Sequence, residues 1–566
     1  MRDTYPELDT LPRDWLVPAS EQPEYLPLPD AGLDAQIDLG AMLSDRQVSR
    51  GLGDAIAMIH HESGRAITFR ELAELSDRTA SALYKLHVRP GDRVALRGPN
   101  CPGYIVAAIA AWKIGAAVTL IPATARSADV EFFIEDTQPR VAVLFQPEDP
   151  GILRALEQAP GLTLLAADPD DGRIDSAASG FGRDGGARPR VAADLDRVAI
   201  IWHTGGTTGQ PKGCYHTQRR FLLGGISLGR AAGASQGQRW AAAAPMGHAL
   251  GFIHSTIFTL LNGVTLVVIS EFTKPKSVLD ALDVHKVTQF TAVTATWGRM
   301  LELLTAGEAQ QVAALRRGYA MWQSSSAGAI TTGWRERGIE LRNNFGSTAF
   351  ATWVLVPPLG RPTPQGWLGA AAPGYEVIGI NPDLGGGLRP VPAGQPGRMA
   401  VRGPTGLTYW RLPDRQRADV RHGYSLHDDL ICFGTADRAG LAEYLGRTDY
   451  LISTAGNKVA PVEVEQVLSS HPAVREAVVF GIPDAVRQEI VAAFVVLRDT
   501  AISRETSDAL RRELQDLVKS QLAPYKYPRR LDFIEAIPRD AVGKVQPRIL
   551  RDRILNTSND ATEASR

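Results

Sequence analysis

The chain has 566 residues, and its 61 lysines and arginines almost balance its 62 aspartates and glutamates. A chain of this length is too long for a single hydrophobic core and predicts several lobes. Because no overall electrostatic field results, neither nucleic acid nor a membrane is an expected partner. The three cysteines, Cys101, Cys214 and Cys432, are spaced too widely for a metal box or a disulfide framework, which is typical of a reducing compartment.

The N-terminal region lacks the apolar core of a signal peptide. The most apolar stretch, residues 249–269, is interrupted by His254, Asn262 and Gly263. It therefore predicts a buried helix followed by a strand rather than a membrane span. Together these features predict a soluble cytoplasmic protein.

The first part of the chain alternates between helical and strand-like patterns. Residues 67–86 have helical apolar spacing, with Thr68 as the predicted N-cap ahead of Glu71. Residues 168–194, rich in Gly, Asp, Ala and Ser, are interpreted as an exposed connection. Further predicted elements are a helix at 103–113 and strands at 93–96, 117–121, 141–145, 198–202, 264–269, 289–293 and 319–324. This alternation predicts an α/β fold with parallel sheets.

Two later parts of the chain differ in character. Residues 360–409 are dense in Gly and Pro with short β runs, which predicts a small β-barrel-like subdomain. After Arg447 the pattern predicts a compact α+β unit. Its predicted elements are helices at 461–470 and 505–522 and strands at 474–482, 491–497 and 530–533.

The most informative segment is residues 203–213, H-T-G-G-T-T-G-Q-P-K-G, directly after a β-prone run. Glycines allow backbone N–H groups to turn toward an anion, threonines add hydroxyl donors, and Lys212 supplies positive charge. The spacing differs from G-x-x-x-x-G-K-[ST], so this is not the P-loop of common nucleotide triphosphatases. A glycine-rich surface hairpin is the alternative interpretation for the Gly/Thr cluster alone. The full string closely resembles the phosphate-binding signature of the adenylate-forming enzymes, which include acyl- and aryl-CoA ligases, luciferases and peptide-synthetase adenylation domains.

Further landmarks of that family follow in order. They are F-G-S-T-A at 345–349, H-D-D at 427–429, G-R-T-D at 446–449, P-V-E-V-E at 461–465 and P-R-D-A-V-G-K at 538–544. The resemblance covers about residues 28–551. It implies a large N-terminal domain of parallel α/β sheets with a small β-barrel-like subdomain, followed by a small mobile α+β domain. The implied boundaries are 1–446 for the N-terminal adenylation domain, 447–449 for a hinge centred on Asp449, 450–552 for a C-terminal lid and 553–566 for a tail.

The resemblance implies activation of a carboxylic acid by ATP, with pyrophosphate release, and transfer of the acyl group from AMP to CoA. It implies catalytic roles for Lys544, Thr348 and His248. Asp429 is expected to bind the ribose, with Asp428 as a rival because eighteen positions separate Asp429 from Arg447, about three more than is usual in the family. The implied ATP and AMP contacts are Thr204, Gly205, Gly206, Thr207, Thr208, Gly209, Lys212, Ala327, Gly328, Ala329, Asn344, Phe345, Gly346, Ser347, Thr348, Asp429, Arg447 and Lys544.

The implied acid pocket contains His248, Phe252, Trp297 and Ser326. Aromatic walls suit a small aryl acid better than a long acyl chain, although Phe252 and Trp297 could equally be ordinary core residues. Residues 213–217, G-C-Y-H-T, are similar to a G-C-x-H stretch of benzoate- and aminobenzoate-CoA ligases.

The chain departs from the family at three places that bear on chemistry. H-D-D at 427–429 stands where the family usually has T-G-D. Ala349 replaces the glutamate that normally helps to hold magnesium, so no protein metal ligand is assigned and Mg²⁺ is expected on the phosphates. The implied acceptor tunnel, Gly456, Asn457 and Lys458, lacks the usual double glycine.

These departures leave alternatives open. One is an adenylate-forming enzyme of secondary metabolism, either an amide-forming ligase with an amine acceptor or an ATP-dependent diazotase that activates nitrite and diazotises an arylamine. Another is a non-catalytic nucleotide-binding homologue. The expected ligands are a small-molecule acid, ATP, Mg²⁺ and an acceptor, with CoA preferred, and a homodimer is left open.

Overall fold

The computed structural model of this chain contains four β-sheets and the helices that cover them. It describes residues 11–174, 188–204, 211–309, 311–321, 327–361, 363–364, 367–381, 388–455, 457–484, 486–498, 504–539, 545 and 550. Strands and helices are numbered along the chain.

One sheet has seven strands in the order β13-β12-β11-β9-β10-β1-β2. All neighbours are parallel except β1 and β2. The carboxyl ends of its parallel strands therefore meet at one edge, where ligands bind in open α/β sheets. The strands are β1 (Ile56–His60), β2 (Ala66–Thr68), β9 (Arg239–Ala243), β10 (Thr265–Val268), β11 (Gln289–Val293), β12 (Arg317–Met321) and β13 (Glu340–Asn343).

A second sheet has six strands in the order β6-β5-β3-β4-β7-β8, and only β7 and β8 are antiparallel. Its inner strands are apolar and buried on both faces because helices cover both sides. The strands are β3 (Arg93–Arg97), β4 (Ala117–Ile121), β5 (Val141–Leu144), β6 (Thr163–Ala166), β7 (Val198–Thr204) and β8 (Lys212–Thr217).

The helices of this α/β region pack on the two sheets and between them. One of them is buried along its whole length, in keeping with a sequence that is apolar apart from Lys113 at its end, which pairs with Asp45 and Asp77. The helices, with that buried one as α4, are α1 (Leu39–Leu43), α2 (Asp45–Gln47), α3 (Phe69–Lys85), α4 (Pro102–Lys113), α5 (Ser127–Thr137), α6 (Pro150–Glu157), α7 (Gln218–Ala232), α8 (Ala249–Ser255), α9 (Ile257–Leu261), α10 (Pro275–Val284), α11 (Thr294–Thr305) and α12 (Ala327–Glu336).

The third sheet is antiparallel throughout. Its first strand follows β13 in the chain, after the strands of both parallel sheets. Helix α13 (Pro413–Asp419) is inserted between two of its strands. The strands are β14 (Phe345–Ser347), β15 (Thr352–Val356), β16 (Trp367–Ala371), β17 (Glu376–Ile380), β18 (Pro396–Arg402), β19 (Val420–Arg421), β20 (Tyr424–Phe433) and β21 (Ala442–Arg447).

The C-terminal unit has a sheet of its own with the order β23-β22-β25-β24, to which β26 adds parallel to β25. Its own hydrophobic cluster joins this sheet to two helices, as expected for a separate domain. The elements are β22 (Ile452–Thr454), β23 (Asn457–Val459), α14 (Pro461–Ser469), β24 (Val474–Asp484), β25 (Gln488–Leu497), α15 (Arg504–Gln521) and β26 (Arg530–Phe533).

The α/β class is confirmed, and the structure corrects two details. The antiparallel sheet begins at β14 and ends at β21, so it extends beyond residues 360–409 in both directions. The expectation that residues 168–194 are an exposed connection is wrong for 168–174. Gly103 donates a backbone hydrogen bond to Pro169, and Asp170 contacts His60. Polar composition hid this packing because the contacts run through the backbone and a buried histidine.

None of the helices in the described ranges combines the length and apolar character needed to cross a bilayer. The three cysteines form no disulfide. Burial raises the pKa of both Cys101 and Cys214 to about 12, so neither thiol ionises in the neutral range.

The carboxyl group of the half-buried Glu465 makes the stability of the C-terminal unit depend on pH. Oε1 of Glu465 accepts a hydrogen bond from the backbone N–H of Val479 (2.8 Å), and burial raises the pKa of Glu465 to about 8. The folded state therefore holds this proton more tightly than the unfolded chain, in which the pKa of a glutamate is about 4.3. We expect the contribution of Glu465 to the free energy of unfolding to be complete below about pH 4.3 and to fall by up to about 1.4 kcal/mol per pH unit as pH rises to about 8.

The measurement is urea unfolding of wild type and Glu465→Gln between pH 5 and 8.5. Gln cannot ionise but keeps the acceptor for Val479, so the slope with pH should flatten in the variant. An equal slope in both proteins would contradict the assignment.

Candidate active site

A hairpin at the edge of the six-stranded sheet carries the segment predicted to bind phosphate. β7 and β8 are antiparallel, and Thr204 lies opposite Lys212 in their register. Residues 205–211 connect these two positions, so the strand pairing holds both ends of the loop together. The loop residues Gly205, Gly206, Thr207, Thr208 and Gly209 lie outside the described residues, and their phosphate contacts stay predictions.

The base of this hairpin is fixed by a buried hydrogen bond that the sequence did not reveal. Nε2 of His203 lies 2.8 Å from Oδ2 of Asp136, and the histidine side chain is 2% exposed. The backbone carbonyl of Asp136 also accepts a hydrogen bond from Nε1 of Trp410 (3.1 Å). These residues come from three distant parts of the chain, so the histidine at the start of the glycine-rich string was the only local signal.

The segment predicted to surround adenine begins at the carboxyl end of β13. The buried side chain of Asn344 accepts a hydrogen bond from Nε1 of Trp353 (2.7 Å) and donates one to the carbonyl of Ala320 (3.1 Å). At Gly346 an added Cβ would lie 2.5 Å from the carbonyl oxygen of Thr352, so only glycine fits. Ser347 ends β14, and Ala327, Gly328 and Ala329 form the start of α12.

The same segment is joined to the phosphate hairpin. The carbonyl oxygen of Thr348 accepts hydrogen bonds from Nε1 of Trp202 and Nε2 of His216, each at 3.1 Å. One donor lies on each of the two hairpin strands, Trp202 on β7 and His216 on β8. The sequence reasoning missed this contact, although the G-C-Y-H-T string contained one of the two donors.

Asp429 lies in a pocket of aromatic and cationic groups beside Phe345. Its Oδ1 accepts a hydrogen bond from the hydroxyl of Tyr444 (2.8 Å), and its Oδ2 contacts Nδ1 of His427. Both rings also pack against Phe345, at 6.2 Å and 5.4 Å between centroids. Across the β20–β21 pairing, Arg447 lies directly opposite Asp429, with Nη1 3.7 Å from Oδ2.

The charge of Asp429 is maintained in spite of its burial. Desolvation alone would raise the pKa of this carboxyl group, but the charge and hydrogen bond of His427, with Arg447 and Tyr444, hold it below its ordinary value. A buried carboxylate that is ionised at neutral pH can accept hydrogen bonds from two neighbouring hydroxyl groups.

Asp428 lies on the other side of the strand, since successive strand residues face opposite sides, although its Oδ2 is also 3.7 Å from Nη2 of Arg447. Its Oδ1 lies 2.9 Å from Nη2 of Arg398, and its side chain is 32% exposed, against 5% for Asp429. A bulge in the β20–β21 pairing lies between Leu430 and Ile431. The hairpin thus brings Asp429 opposite Arg447 in spite of the eighteen positions between them.

The segment predicted to meet the acid is anchored between the two parallel sheets. His248 is the N-cap of α8, and its Nδ1 accepts a hydrogen bond from the backbone N–H of Leu250 (3.3 Å). Just before it, Met246 donates its backbone N–H to Oδ1 of Asn100 (2.7 Å). The Asn100 amide in turn donates to the carbonyls of Ala244 (2.9 Å) and Ile269 (3.2 Å). Sequence reasoning missed Asn100; an amide directly after a buried strand was the available signal.

The predicted aromatic walls of the acid pocket have core contacts. Phe252 stacks against Phe221 with centroids 6.3 Å apart. Trp297 is fully buried beside Trp334 (5.0 Å), and its Nε1 donates to the carbonyl of Tyr319 (3.2 Å). Such contacts are those of ordinary core residues, so a role in walling the acid stays a prediction. Ser326 lies outside the described residues.

The position that breaks the family pattern is apolar in its surroundings as well as in its side chain. Ala349 is 7% exposed and belongs to the largest hydrophobic cluster, next to the buried Thr348. Within the described ranges, no three His, Cys, Asp or Glu side chains are close enough together to hold a metal ion.

The predicted hinge and acceptor residues lie at the start of the C-terminal unit. Asp449 is in a short 3-10 turn, Thr448–Tyr450, and Oγ1 of Thr448 donates to the carbonyl of Asp428 (3.2 Å). Asn457 and Lys458 are in β23. Gly456 and Lys544 lie outside the described residues, so their roles at the site stay predictions.

Comparison with known proteins gives two family matches. The family model of AMP-binding enzymes matches residues 45–410, and that of the AMP-binding enzyme C-terminal domain matches residues 463–544.

Individual proteins resemble the chain over most of its length. It is 29% identical to benzoate–CoA ligase of Thauera aromatica over 86% of this chain and 91% of that protein. It is 27% identical to 3-hydroxybenzoate–CoA ligase of Aromatoleum sp. (strain CIB), over 89% of this chain and 94% of the relative. The crystal structure of a benzoate CoA ligase from Burkholderia xenovorans LB400 superposes with a TM-score of 0.78, at 26% identity and with 91% and 100% of the two chains covered.

Proposed function

Because this chain belongs to the family of AMP-binding enzymes, we propose that it activates a small aromatic carboxylic acid with ATP and transfers the acyl group to CoA. The observation that carries this proposal is the convergence of three elements. The phosphate hairpin holds residues 345–349, the Thr348 segment, through the carbonyl of Thr348. In that segment Phe345 packs against His427, and His427 contacts the carboxylate of Asp429.

The proposed reaction has two steps. A carboxylate oxygen of the acid attacks the α-phosphorus of ATP, and the bond to pyrophosphate breaks. The sulfur of CoA then attacks the acyl carbon, its thiol proton is lost, and AMP leaves. Since both reactants of the first step are anions, the protein must supply positive charge and position. We assign that charge to Lys212 and Lys544, with the phosphate loop as the source of N–H and hydroxyl donors.

Asp429 is the group proposed to bind the ribose. Its ionised carboxylate has two oxygens for the two ribose hydroxyls, and Arg447 supports it from the opposite strand. Phe345, partly exposed beside it, offers a face on which adenine can stack.

The substrate class is inferred from similarity. The relatives named above act on benzoate and 3-hydroxybenzoate, according to their names, and the G-C-Y-H-T string is similar to that of aryl-CoA ligases. We therefore propose that an aryl carboxylate binds beside residues 246–252, the segment that contains His248. Residues 450–552 are proposed to rotate about Asp449 and to present Gly456, Asn457 and Lys458 to the acceptor.

Pyrophosphate and AMP release test the function. Purified protein is incubated with ATP, Mg²⁺ and each of a panel of acids that includes benzoate and 3-hydroxybenzoate, with and without CoA. Pyrophosphate release with an aryl acid, followed by CoA-dependent AMP release, is the expected result. AMP release with an amine, or with nitrite and an arylamine, but not with CoA would show that the acceptor is the amine or arylamine rather than CoA. ATP binding without turnover in any arm would favour a non-catalytic protein.

Asn100 is expected to matter for the acid. Asn100→Ala removes the three hydrogen bonds that fix the segment before His248, and it should raise the KM for the acid about tenfold with a smaller effect on the KM for ATP. Gln47→Ala is the matched control, because this buried amide also bonds backbone carbonyls, those of Met42 and Leu261, away from the site. Equal KM changes in both variants would contradict the prediction.

Magnesium affinity tests the departure at Ala349. The methyl group of Ala349 offers no metal ligand and its surroundings are apolar, so no catalytic step is assigned to a metal bound at this residue. Magnesium is expected to be held by phosphate oxygens and water. Ala349→Glu should lower the magnesium concentration for half-maximal pyrophosphate release several-fold, whereas the uncharged Ala349→Gln should not. The same shift in both variants would contradict this account.

A further inference from the structure

Two buried side chains of the phosphate hairpin share one acceptor. Trp202 on β7 and His216 on β8 each place an N–H group 3.1 Å from the carbonyl oxygen of Thr348. Their side chains are 2% and 1% exposed, and the two rings lie 5.6 Å apart. A carbonyl oxygen has two lone pairs, so this arrangement saturates it. The peptide plane that follows Thr348 is therefore fixed from the hairpin side.

His216 acts as a neutral donor in this contact. Burial lowers the pKa of His216 to about 4, so the ring carries one proton at neutral pH. The carbonyl of Thr348 can only accept, which places that proton on Nε2. The contact is thus a neutral hydrogen bond whose strength does not change between about pH 5.5 and 9.

Strand alternation explains the pattern of the G-C-Y-H-T string. In β8, Tyr215 faces away from the site, and its hydroxyl accepts a hydrogen bond from the backbone N–H of Val17 (3.0 Å). His216 faces the opposite side, toward Thr348. The histidine therefore contacts the segment itself, and the function assigned above does not account for it.

The fixed carbonyl belongs to the peptide bond between Thr348 and Ala349, and both of these residues bear on the adenylation step. Thr348 is among the residues predicted to bind ATP and to act in catalysis, and Ala349 offers no carboxylate through which a metal could hold the segment. We propose that Trp202 and His216 are positioning residues that hold the Thr348 segment in register with the phosphate loop for the adenylation step. This inference deepens the proposed function and rests on it.

The experiment measures single-turnover pyrophosphate release, the KM for ATP and thermal stability. His216→Phe and Trp202→Phe each keep an aromatic ring and remove one donor. Each should lower kcat for adenylation about 5- to 10-fold with less than a threefold change in the KM for ATP. His216→Gln restores an N–H donor at about the position of Nε2 and should recover most of the lost rate. In His216→Phe the pH–rate profile between pH 5.5 and 9 should keep its wild-type shape.

Tyr215→Phe is the matched control. Its ring is buried on the opposite face of β8, and the substitution keeps the ring while removing the hydroxyl that accepts a hydrogen bond from the backbone N–H of Val17 (3.0 Å). It should lose thermal stability and keep the wild-type kcat.

The inference is overturned if His216→Phe and Trp202→Phe retain kcat within twofold of wild type. It is also overturned if His216→Gln is as slow as His216→Phe, or if Tyr215→Phe is equally slow. Absence of pyrophosphate release in the wild type itself would refute the proposed function, which separates the two failures.

Discussion

Replacement of Asp429 by asparagine is expected to lower kcat/KM for ATP roughly 100-fold. The carboxylate is ionised, because His427, Arg447 and Tyr444 outweigh the cost of burial. Asparagine removes the charge and one of the two acceptors for the ribose hydroxyls, and hydrogen bonds to a charged group contribute about 1.5–3 kcal/mol each. The measurement is steady-state pyrophosphate release against ATP concentration, together with calorimetric binding of ATP.

Asp428→Asn is the control for this prediction. Asp428 has similar cationic neighbours, Arg398, Arg415 and Arg447, but its side chain is more exposed than that of Asp429. Because ion pairs of this exposure contribute about 1 kcal/mol or less, the variant should stay within about threefold of wild type. If Asp428→Asn loses ATP affinity and Asp429→Asn keeps it, the ribose assignment is reversed.

Lys544→Ala should reduce adenylate formation by about 10²- to 10³-fold, the usual loss on removing one group that stabilises developing charge. Lys544 directly follows Gly543 in the sequence and is predicted to lie on a glycine turn, so its removal is not expected to disturb a core. Consumption of a presynthesised acyl adenylate in the presence of CoA should remain within a few-fold of wild type. Rapid-quench measurement of each half-reaction separates the two effects.

Lys458→Ala is the reciprocal variant. It lies in β23, in the implied acceptor tunnel, and should slow transfer to CoA while sparing pyrophosphate release. Equal losses in both half-reactions for Lys544→Ala would contradict its assignment to adenylation alone.

The sequence by itself determined several of the elements and the family. Strands such as β4 and β11 have the bounds that were predicted, and Thr68 caps α3 as expected. These features depend on hydrophobic periodicity, capping and turn residues, which are properties of a few adjacent positions. The phosphate signature and the motifs after it are likewise contiguous strings, so the nucleotide chemistry could be inferred before the fold.

Only the tertiary structure decided which side chains meet. The contact of His216 with Thr348 joins residues 132 positions apart, and that of Asn100 with Met246 joins residues 146 positions apart. Trp297 is equally apolar whether it lines a ligand or a core, and its contacts with Trp334 and Tyr319 became known only from the packing. The orientation of Asp429 rather than Asp428 toward Phe345 depends on strand register, which a bulge changes by one residue. Local sequence sets the period of a strand, whereas pairing and packing across the chain determine which face meets the site.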